Sequence, residues 1–400
     1  MVSIGWTIFE KLYIYKGVFY VVSDTPATVP ELQFIISKGI YIKPANVGEE
    51  ERLPSDHEMK VISTKQAKKL FGGSSAQVMD GHSLLVNDPP QFITHYYHWS
   101  AELWFGFWRT YSSLDPNISE LGNTTLPPLR RMVFNHLDNY HWRDYANMNQ
   151  WVLRSSFPSI SIEFIDEWRD RAEMGRPFVF ERVVLVDRAA SMFGYNYQRY
   201  QRSAGPAFAL PGSMKWWQPI RNNVVEFAGV APEVGSGTTS KPVITYISRQ
   251  QWGRRMLIPE HHDKLVSELY KLQDEYGYEI NIVNAESMSR LEQIALAART
   301  TIMMGVHGNG LTSLLWMNPN PRSTVMEFFF PEGFAHDYEY TTRALGMTHY
   351  GFWNNEFFTS PGLPLPRYVE GFQGNAIPID GEVVARLCVE RLSLNSEVDD

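Results

Sequence analysis

Residues 300–317 read TTIMMGVHGNGLTSLLWM, and this stretch decides the fold of the 400-residue chain. It begins as a short, largely apolar run, turns through closely spaced glycines and continues with apolar residues at helical spacing. Glycine allows the sharp turn by which a buried strand passes directly into a helix, as in the repeating unit of a parallel sheet. We therefore predict a strand over 300–306, a tight loop at 308–310 and a helix over 311–317.

The sequence on both sides of this stretch repeats the alternation of strands and helices. One predicted helix has Pro259 near its first turn and Gly277 as its stop, and another opens with Ser289 and Glu292 spaced as a capping box. We predict strands over 243–247, 278–283 and 324–330, and helices over 259–276 and 289–299. Strands and helices in this order form a parallel sheet with right-handed crossovers.

The first half of the chain also shows an α/β pattern. Aromatic and β-branched runs around Lys16 and Gly17 predict a hairpin over 11–22, and residues 95–110 are typical of a buried amphipathic helix. Further strands are predicted over 132–135, 161–165 and 179–186. The fold class is therefore α/β in both halves.

Length favours two domains, because 400 residues are more than one compact core usually holds. The best linker is the segment 232–242, which contains Gly235 followed by Ser, Gly, Thr, Thr and Ser. We predict domains over 1–234 and 235–355 and a tail over 356–400. The net charge of −8 gives no broad basic surface, so we predict no nucleic-acid partner.

Signals for the cellular compartment point in two directions. Cys388 is the single cysteine, so no internal disulfide can form, which favours a reducing compartment. Asn117 and Asn123 each begin a glycosylation acceptor triplet in one loop, which favours the lumen of the secretory pathway, the endoplasmic reticulum or the Golgi. We expect the lumen, and we expect membrane contact only through an anchor that is not present in this chain, since no apolar run reaches the length of a membrane span.

Cationic side chains follow the predicted strand 243–247, at the edge where open parallel sheets bind their ligands. Ser248 and Arg249 come directly after the strand, and Arg254 and Arg255 follow. A guanidinium group fits a diphosphate bidentately and stays charged at any working pH. For Arg254 and Arg255 a surface ion pair explains the sequence equally well, whereas at Arg249 we expect an anion contact.

A glycine-rich loop follows the predicted strand 300–306. It reads His307, Gly308, Asn309, Gly310, Leu311 and Thr312. Glycines let the backbone approach a ligand closely, the first amides of the following helix can hold an anion, and Thr312 could add a hydroxyl. The spacing is neither the glycine fingerprint of dinucleotide binders nor a P-loop. The alternative is a plain connection in which His307 is hydrogen-bonded.

Two carboxylates lie in apolar surroundings and need partners. Glu327 sits within the run Val-Met-Glu-Phe-Phe-Phe, where ribose hydroxyls or a structural salt bridge would serve. Glu102 follows His98 by four residues, so the two share one face of a helix and could act together as a general base. Mutual satisfaction within a buried helix is the alternative for that pair.

Metal-binding patterns are weak. His261, His262 and Asp263 are adjacent in the first turn of a predicted helix, and His336 and Asp337 are predicted in a loop. Neither group has the spacing of a zinc site. These patterns therefore predict no metal site, and we expect no cofactor.

Four of these segments together resemble glycosyltransferase family 61, which includes plant xylosyltransferases and animal luminal O-linked N-acetylglucosaminyltransferases. They are Tyr246-Ile-Ser248-Arg249, Arg254-Arg255 with the residues up to Glu260, the glycine-rich loop, and Met326-Glu327. The sequence Tyr97-His98-Trp99, followed by Glu102, resembles the family's motif in the N-terminal domain. The run from Pro331 to Tyr338 resembles fungal members.

The resemblance implies a GT-B architecture of two Rossmann-like domains with an interdomain cleft, the nucleotide sugar on the C-terminal domain and the acceptor on the N-terminal one. The tail would then pack back on the N-terminal domain. It also implies an inverting transfer of xylose or N-acetylglucosamine from a UDP-sugar to a hydroxyl of a protein or glycan.

On this resemblance Glu102 is the base, with His98 supporting or replacing it. Arg249, His307 and the amides after Gly308 and Gly310 hold the diphosphate, while Glu327 holds the ribose. The alternatives are a non-catalytic nucleotide- or sugar-binding relative and another nucleotide-dependent α/β enzyme, such as an oxidoreductase.

Overall fold

The computed structural model describes residues 2–43, 48–72, 76–231 and 241–394. The chain forms two compact units: Met1–Ser119 with Asn123–Trp216, and Glu120–Gly122 with Trp217–Asp400. Each unit is α/β and is built on one mixed sheet. By contacts within the chain, the division falls after Trp216, whereas the sequence placed it at 234. Residues 232–240 of the predicted linker lie outside the described residues.

The first unit has an eight-stranded sheet. Its strands are β1 Val2–Ser3, β2 Trp6–Tyr15, β3 Val18–Val22, β4 Met59–Ile62, β5 Gln77–Val86, β6 Arg131–Phe134, β7 Ser161–Glu163 and β8 Phe178–Val186. The order is β4-β3-β2-β8-β5-β6-β7, with β1 on β2. Strands β8, β5, β6 and β7 run parallel, and β2 is antiparallel to both β3 and β8. The predicted hairpin is confirmed, since Lys16 and Gly17 at its turn have φ of 51° and 77°.

The α-helices of the first unit are α1 Glu49–Arg52, α2 Thr64–Phe71, α3 Phe105–Ser112, α4 Asn149–Ser156, α5 Ile165–Glu173, α6 Arg188–Ser191 and α7 Tyr195–Tyr200. Short 3-10 helices cover Pro26–Thr28, Leu32–Phe34, Pro90–Phe92 and Gly205–Ala209. The predicted aromatic helix is present, but it begins as a π-helix over His98–Trp104 and continues as α3. Every residue of 99–112 is buried, so the helix is a core element, as its predicted burial requires.

The second unit has a six-stranded sheet. Its strands are β9 Val243–Ile247, β10 Glu279–Val283, β11 Ile302–Val306, β12 Thr324–Phe328, β13 Thr348–Trp353 and β14 Glu356–Phe358. The order is β10-β9-β11-β12-β13-β14, and only the pair β13–β14 is antiparallel among the strands described. The predicted parallel sheet is therefore confirmed, and the carboxyl ends of β9, β11 and β12 lie at one edge.

The α-helices of the second unit are α8 Gln218–Phe227, α9 Pro259–Tyr276, α10 Arg290–Arg299, α11 Asp337–Ala344 and α12 Gly381–Leu392, and 3-10 helices cover Ala285–Ser287 and Asn309–Trp316. Helix α9 ends at Gly277 in the left-handed conformation, and α10 begins at the capping box of Ser289 and Glu292, as predicted. The predicted helix over 311–317 is a 3-10 helix that starts earlier, at Asn309.

Helix α8 belongs to the second unit through a buried arginine. Nε of Arg221 donates to the carbonyls of Trp316 (3.1 Å) and Met317 (2.8 Å), and Nη2 donates to that of Ala298 (3.5 Å). These carbonyls end the 3-10 helix and lie near the end of α10, where helices lack partners of their own. Arg221 therefore ties α8 to the segment that carries the glycine-rich loop.

The helix of the predicted tail packs within the second unit. Val384, Leu387 and Cys388 of α12 are buried in the same cluster as Leu265 and Leu269 of α9. The apolar face of α12 thus completes the core of the second sheet, and packing of the tail on the first domain stays a prediction. No helix in the described ranges combines the length and apolar character that crossing a membrane requires.

Candidate active site

Arg249 lies at the carboxyl end of β9, directly after the strand. The backbone N–H of Ser248, between the strand and Arg249, donates to the carbonyl of Val283 on β10 (2.8 Å) and fixes the chain at this point. The guanidinium of Arg249 lies 5.6 Å from the ring of Trp252, and its Nε is buried without a hydrogen-bond partner among the described residues. A buried N–H without an acceptor is costly, so this group is suited to receive one from a ligand.

Arg255 places a second guanidinium in the same region. Burial lowers the pKa of Arg249, and the charges of Arg255 and Arg254 lower it further. Arg255 donates from Nε to the side chain of Gln373 (2.6 Å) and from Nη1 to the carbonyl of His307 (3.4 Å). Within the described part of the chain, none of these three arginines has a carboxylate at salt-bridge distance, so the predicted surface ion pairs of Arg254 and Arg255 are absent there.

The glycine-rich loop reaches the guanidinium of Arg249. A Cβ added at Gly308 would come within 2.7 Å of Nη1 of Arg249, and one at Gly310 within 2.9 Å of the side chain of Ile247. Both positions therefore require glycine for close approach. The guanidinium of Arg249 thus lies next to the start of the 3-10 helix, where the sequence analysis expects the anion site.

Leu311 and Thr312, which the sequence analysis places at the site for the sugar donor, have buried side chains. Leu311 is part of the core, and the hydroxyl of Thr312, also fully buried, donates to Oδ1 of Asn309 at 3.3 Å. Thr312 and Asn309 thus brace the first turn of the 3-10 helix. The expected hydroxyl contact from Thr312 to an anion has no support in this geometry, because the hydroxyl is directed to a protein acceptor.

Glu327 is fully buried on β12 between two histidines. Nδ1 of His307 lies 2.5 Å from its Oε1, and Nε2 of His349 lies 2.8 Å from its Oε2. Burial lowers the pKa of His349 to about 4, so His349 is neutral and donates Nε2–H to the carboxylate. Since both oxygens of Glu327 are engaged by the protein, the structure favours the buried ionic pair over the ribose contact.

His98 and Glu102 form the corresponding pair of the first unit. Nδ1 of His98 lies 2.7 Å from Oε2 of Glu102, within the π-helix. The side chain of His98 is 30% exposed, and its Nε2 has no hydrogen-bond partner among the described residues. Wide π-helical turns occur mostly at functional sites, and this one holds a histidine at the surface with a buried carboxylate behind it.

Two arginines flank Glu102 on its other side. Nη1 of Arg202 lies 3.8 Å from Oε1, and Nη1 of Arg188 lies 4.0 Å from Oε2. Burial alone would raise the pKa of Glu102, but the hydrogen bond from His98 and the charges of Arg202 and Arg188 lower it to about 2. Glu102 is therefore a carboxylate at every working pH, and a weak base.

Arg188 also fixes the backbone of the π-helix. It is held by Asp88, whose Oδ2 lies 2.5 Å from Nε, and its Nη1 donates to the carbonyl of His98 at 2.6 Å. Sequence reasoning missed Asp88, Arg188 and Arg202, and it missed His349 in the second unit. Each lies far along the chain from its partner, so no local sequence pattern pairs the two.

The histidines of the weak metal-binding patterns are hydrogen-bonded to protein groups. His261 accepts from the backbone N–H of Ile379 (3.0 Å), His262 bonds the hydroxyl of Tyr246 (3.0 Å), and His336 bonds Glu339 (2.7 Å). Over the residues that the structure covers, no group of three or more histidine, cysteine, aspartate or glutamate side chains is placed to hold a metal ion.

Comparison with protein-family models covers most of the residues described above. A family model described as Glycosyltransferase 61 matches residues 96–326, which is more than half of the chain. The matched region includes the pair in the π-helix, the arginines after β9 and the glycine-rich loop. No curated protein matches the chain.

Proposed function

Because the chain belongs to glycosyltransferase family 61, we propose that it transfers xylose or N-acetylglucosamine from a UDP-sugar to a hydroxyl of a protein or glycan, with inversion at the anomeric carbon. The fungal affinity and the GT-B architecture are parts of the same proposal. Each unit has a mixed sheet that contains neighbouring parallel strands, with polar residues at the carboxyl ends of those strands, and this supports it. The oxidoreductase alternative is set aside, since the family is one of glycosyltransferases.

One observation carries the donor site: the buried Nε of Arg249, which has no acceptor among the described residues and lies beside Gly308. A diphosphate would supply the missing acceptor and the negative charge that this group of arginines lacks. The first amides of the 3-10 helix would add donors to the same anion. Positive groups then take the role that a metal has in other transferases, and we propose no essential metal.

Glu327 acts in this proposal through His307 rather than on the ribose. In this proposal the carboxylate of Glu327 lies against Nδ1 of His307 and would stabilise a positive charge on the ring, because opposite charges attract at this distance. A cationic His307 would stabilise the charge that develops on the leaving diphosphate. Glu327 and His349 are positioning residues for that histidine.

The base in this proposal is His98. Glu102, with a pKa of about 2, is too weak a base, but it fixes the tautomer of His98 and stabilises the imidazolium that forms. In one step the acceptor oxygen bonds to the anomeric carbon, its proton passes to Nε2 of His98, and the bond from that carbon to the diphosphate oxygen breaks. UDP leaves with the electron pair, next to Arg249.

We also propose the lumen of the secretory pathway as the location. Asn117 and Asn123 are exposed, and the loop between them is folded around Asp115, which accepts from the hydroxyls of Thr124 and Thr125. Both acceptor asparagines are thus presented on one ordered loop, which supports glycosylation there.

The donor site is tested by calorimetric titration of the full chain with UDP, GDP and NAD. We expect UDP to bind the wild-type protein and the Arg249→Ala variant to bind it 10- to 100-fold more weakly, since a charge-assisted contact is lost. Arg299→Ala is the control, because Arg299 makes only a surface ion pair with Glu279 in the same unit. Unchanged UDP affinity in Arg249→Ala, or NAD bound in preference to UDP, would contradict the proposal.

A further inference from the structure

An exposed tyrosine lies beside the proposed base. The ring of Tyr145 is 5.2 Å from that of His95 and nearly perpendicular to it, and the ring of His95 is 4.8 Å from that of His98. Phe92 contacts His98 from another direction, with ring centres 5.2 Å apart. A continuous set of rings therefore leads from the proposed base to the surface at Tyr145, all within the first unit.

The loop that carries Tyr145 is anchored by buried polar groups. The carboxylate of Asp144 accepts from the backbone N–H groups of Ala146, Met148 and Asn149 at 2.7–3.0 Å. The side-chain amide of Asn149 donates to the carbonyls of Ile93 (2.8 Å) and Trp142 (3.1 Å). These bonds tie the loop to the segment that leads into the π-helix, so the position of Tyr145 relative to His98 is fixed.

The backbone N–H of Tyr145 itself donates to the carbonyl of Thr94 at 3.2 Å, yet its side chain is 62% exposed. Exposed aromatic rings are common on protein surfaces, but few are held so firmly next to a candidate base. A ring that is already held in place loses little freedom when a ligand packs on it. This combination is that of a preformed binding surface rather than of a loose surface residue.

From this geometry we propose that Tyr145 is the stacking platform of the acceptor subsite and that the acceptor is a saccharide. The proposal rests on the proposed function, which it deepens by naming the acceptor class. A sugar ring has an apolar face of C–H groups that packs on an aromatic ring, while its hydroxyls stay at the rim. Seated on Tyr145, such a ring would direct one hydroxyl toward Nε2 of His98.

A peptide acceptor fits this surface less well. Peptides are recognised through a sheet edge, through a groove that takes a helix or, when they are rich in proline, through an aromatic-lined groove. The residues next to His98 lie instead on a short 3-10 helix, the π-helix and an anchored loop, and they present aromatic rings. We therefore assign the surface to a carbohydrate, and a peptide acceptor becomes an outcome that the test can return.

The first test is direct and needs no donor. Saturation-transfer NMR of the full chain with methyl glycosides of common pentoses and hexoses should detect binding to the wild-type protein. We expect Tyr145→Ala to weaken that binding about tenfold and Tyr145→Trp to retain it, because the indole keeps an aromatic face. Tyr195→Ala is the matched control, since Tyr195 is 72% exposed in the same unit. Equal binding by Tyr145→Ala, or no glycoside bound by the wild-type protein, would overturn the proposal.

The second test separates this proposal from the proposed function. A bound acceptor should raise UDP release from a UDP-sugar, and in Tyr145→Ala the KM for the methyl glycoside should rise about tenfold, whereas Tyr195→Ala should leave that KM unchanged. If serine or threonine peptides stimulate release and glycosides do not, the saccharide acceptor is refuted and the transferase stands. If no UDP-sugar binds, the proposed function fails, and the NMR result still decides whether Tyr145 binds sugar.

Discussion

The protein holds two histidine–glutamate pairs with similar hydrogen bonds and different surroundings. The bond is 2.7 Å long in His98–Glu102 and 2.5 Å in His307–Glu327. Two arginines lie on the far side of Glu102, and a neutral histidine lies on the far side of Glu327. Two arginines add positive charge beside Glu102, and the side chain of His98 is 30% exposed, whereas His307 is buried and shares the carboxylate of Glu327 with His349. The group beyond the carboxylate thus decides which task each histidine can perform.

The largest effect is expected at the pair of the first unit. His98→Ala should lower kcat by about 10³-fold, within the usual range for loss of a general base, and leave UDP affinity unchanged. Single-turnover transfer assays and calorimetry would measure the two quantities. His141→Ala is the control, since His141 is an exposed histidine of the same unit and pairs with Asp138.

The companion variant decides which member of the pair is the base. Glu102→Gln should cost less, about 10- to 100-fold in kcat, because the amide still accepts from Nδ1 of His98 while it no longer stabilises the imidazolium. If Glu102→Gln abolishes transfer and His98→Ala keeps more activity, the assignment is reversed and Glu102 is the base.

A smaller effect is expected at the pair of the second unit. Glu327→Gln should weaken UDP binding about tenfold, because a neutral amide does not favour the imidazolium form of His307. Glu339→Gln is a matched control, since Glu339 is also buried and bonded to a histidine, His336. Titration of UDP into both variants, with melting curves to check folding, would show the difference. Equal UDP affinities for the two variants would place His307 outside the donor site.

The smallest effect concerns stability and separates the two pairs by pH. The folded-state pKa of His349 is about 4, below the ordinary value for histidine. As pH falls from about 6.5 to 4, His349 therefore binds a proton in the unfolded chain but not in the folded chain. Stability is lost over that interval, and His349→Gln should remove this part of the pH dependence of Tm, a few degrees for a chain of this size.

Glu102 acts in a different interval. Its pKa is lowered to about 2, so its contribution is complete above the ordinary carboxyl pKa and is lost as pH falls from about 4.5 toward 2. Melting curves of His349→Gln should therefore still show the loss below pH 4.5, and the surface variant His57→Gln should match the wild-type protein throughout. A Tm profile of His349→Gln that follows the wild-type profile between pH 6.5 and 4 would show that His349 is not buried as a neutral group.

Much of the second unit could be predicted from the sequence because its signals are local. The bounds of β9 and α9 are those predicted, and Ser289 with Glu292 marks the start of α10 by hydrogen bonds within one turn. The position of Arg249 followed from the same logic, since a residue directly after a buried strand must lie at the sheet edge. The strands β5 and β13 were missed, because their sequences mix polar and apolar residues and their pairing depends on distant partners.

The neighbours of the candidate site could not be predicted for the same reason. Arg188 and Arg202 meet Glu102 across 86 to 100 residues of chain, and their charges add to the hydrogen bond and charge of His98 in lowering the pKa of the carboxylate. The sequence placed Glu327 correctly within a buried strand and left a ribose or a structural salt bridge open as its partner, but it could not name the histidines. His349 is on β13, and only the pairing of β12 with β13 brings the two together.

The anchoring of α8 by Arg221 limits how the protein can be dissected. The sequence suggests a domain boundary at residue 235, but a fragment that starts there would lack this helix. The carbonyls of Ala298, Trp316 and Met317 would then lose the hydrogen bonds that Arg221 donates to them. One of those helices, the 3-10 helix, begins at the glycine-rich loop, so such a fragment would lose support for the segment where ligand binding is to be measured. A fragment of the second half should begin no later than Trp217.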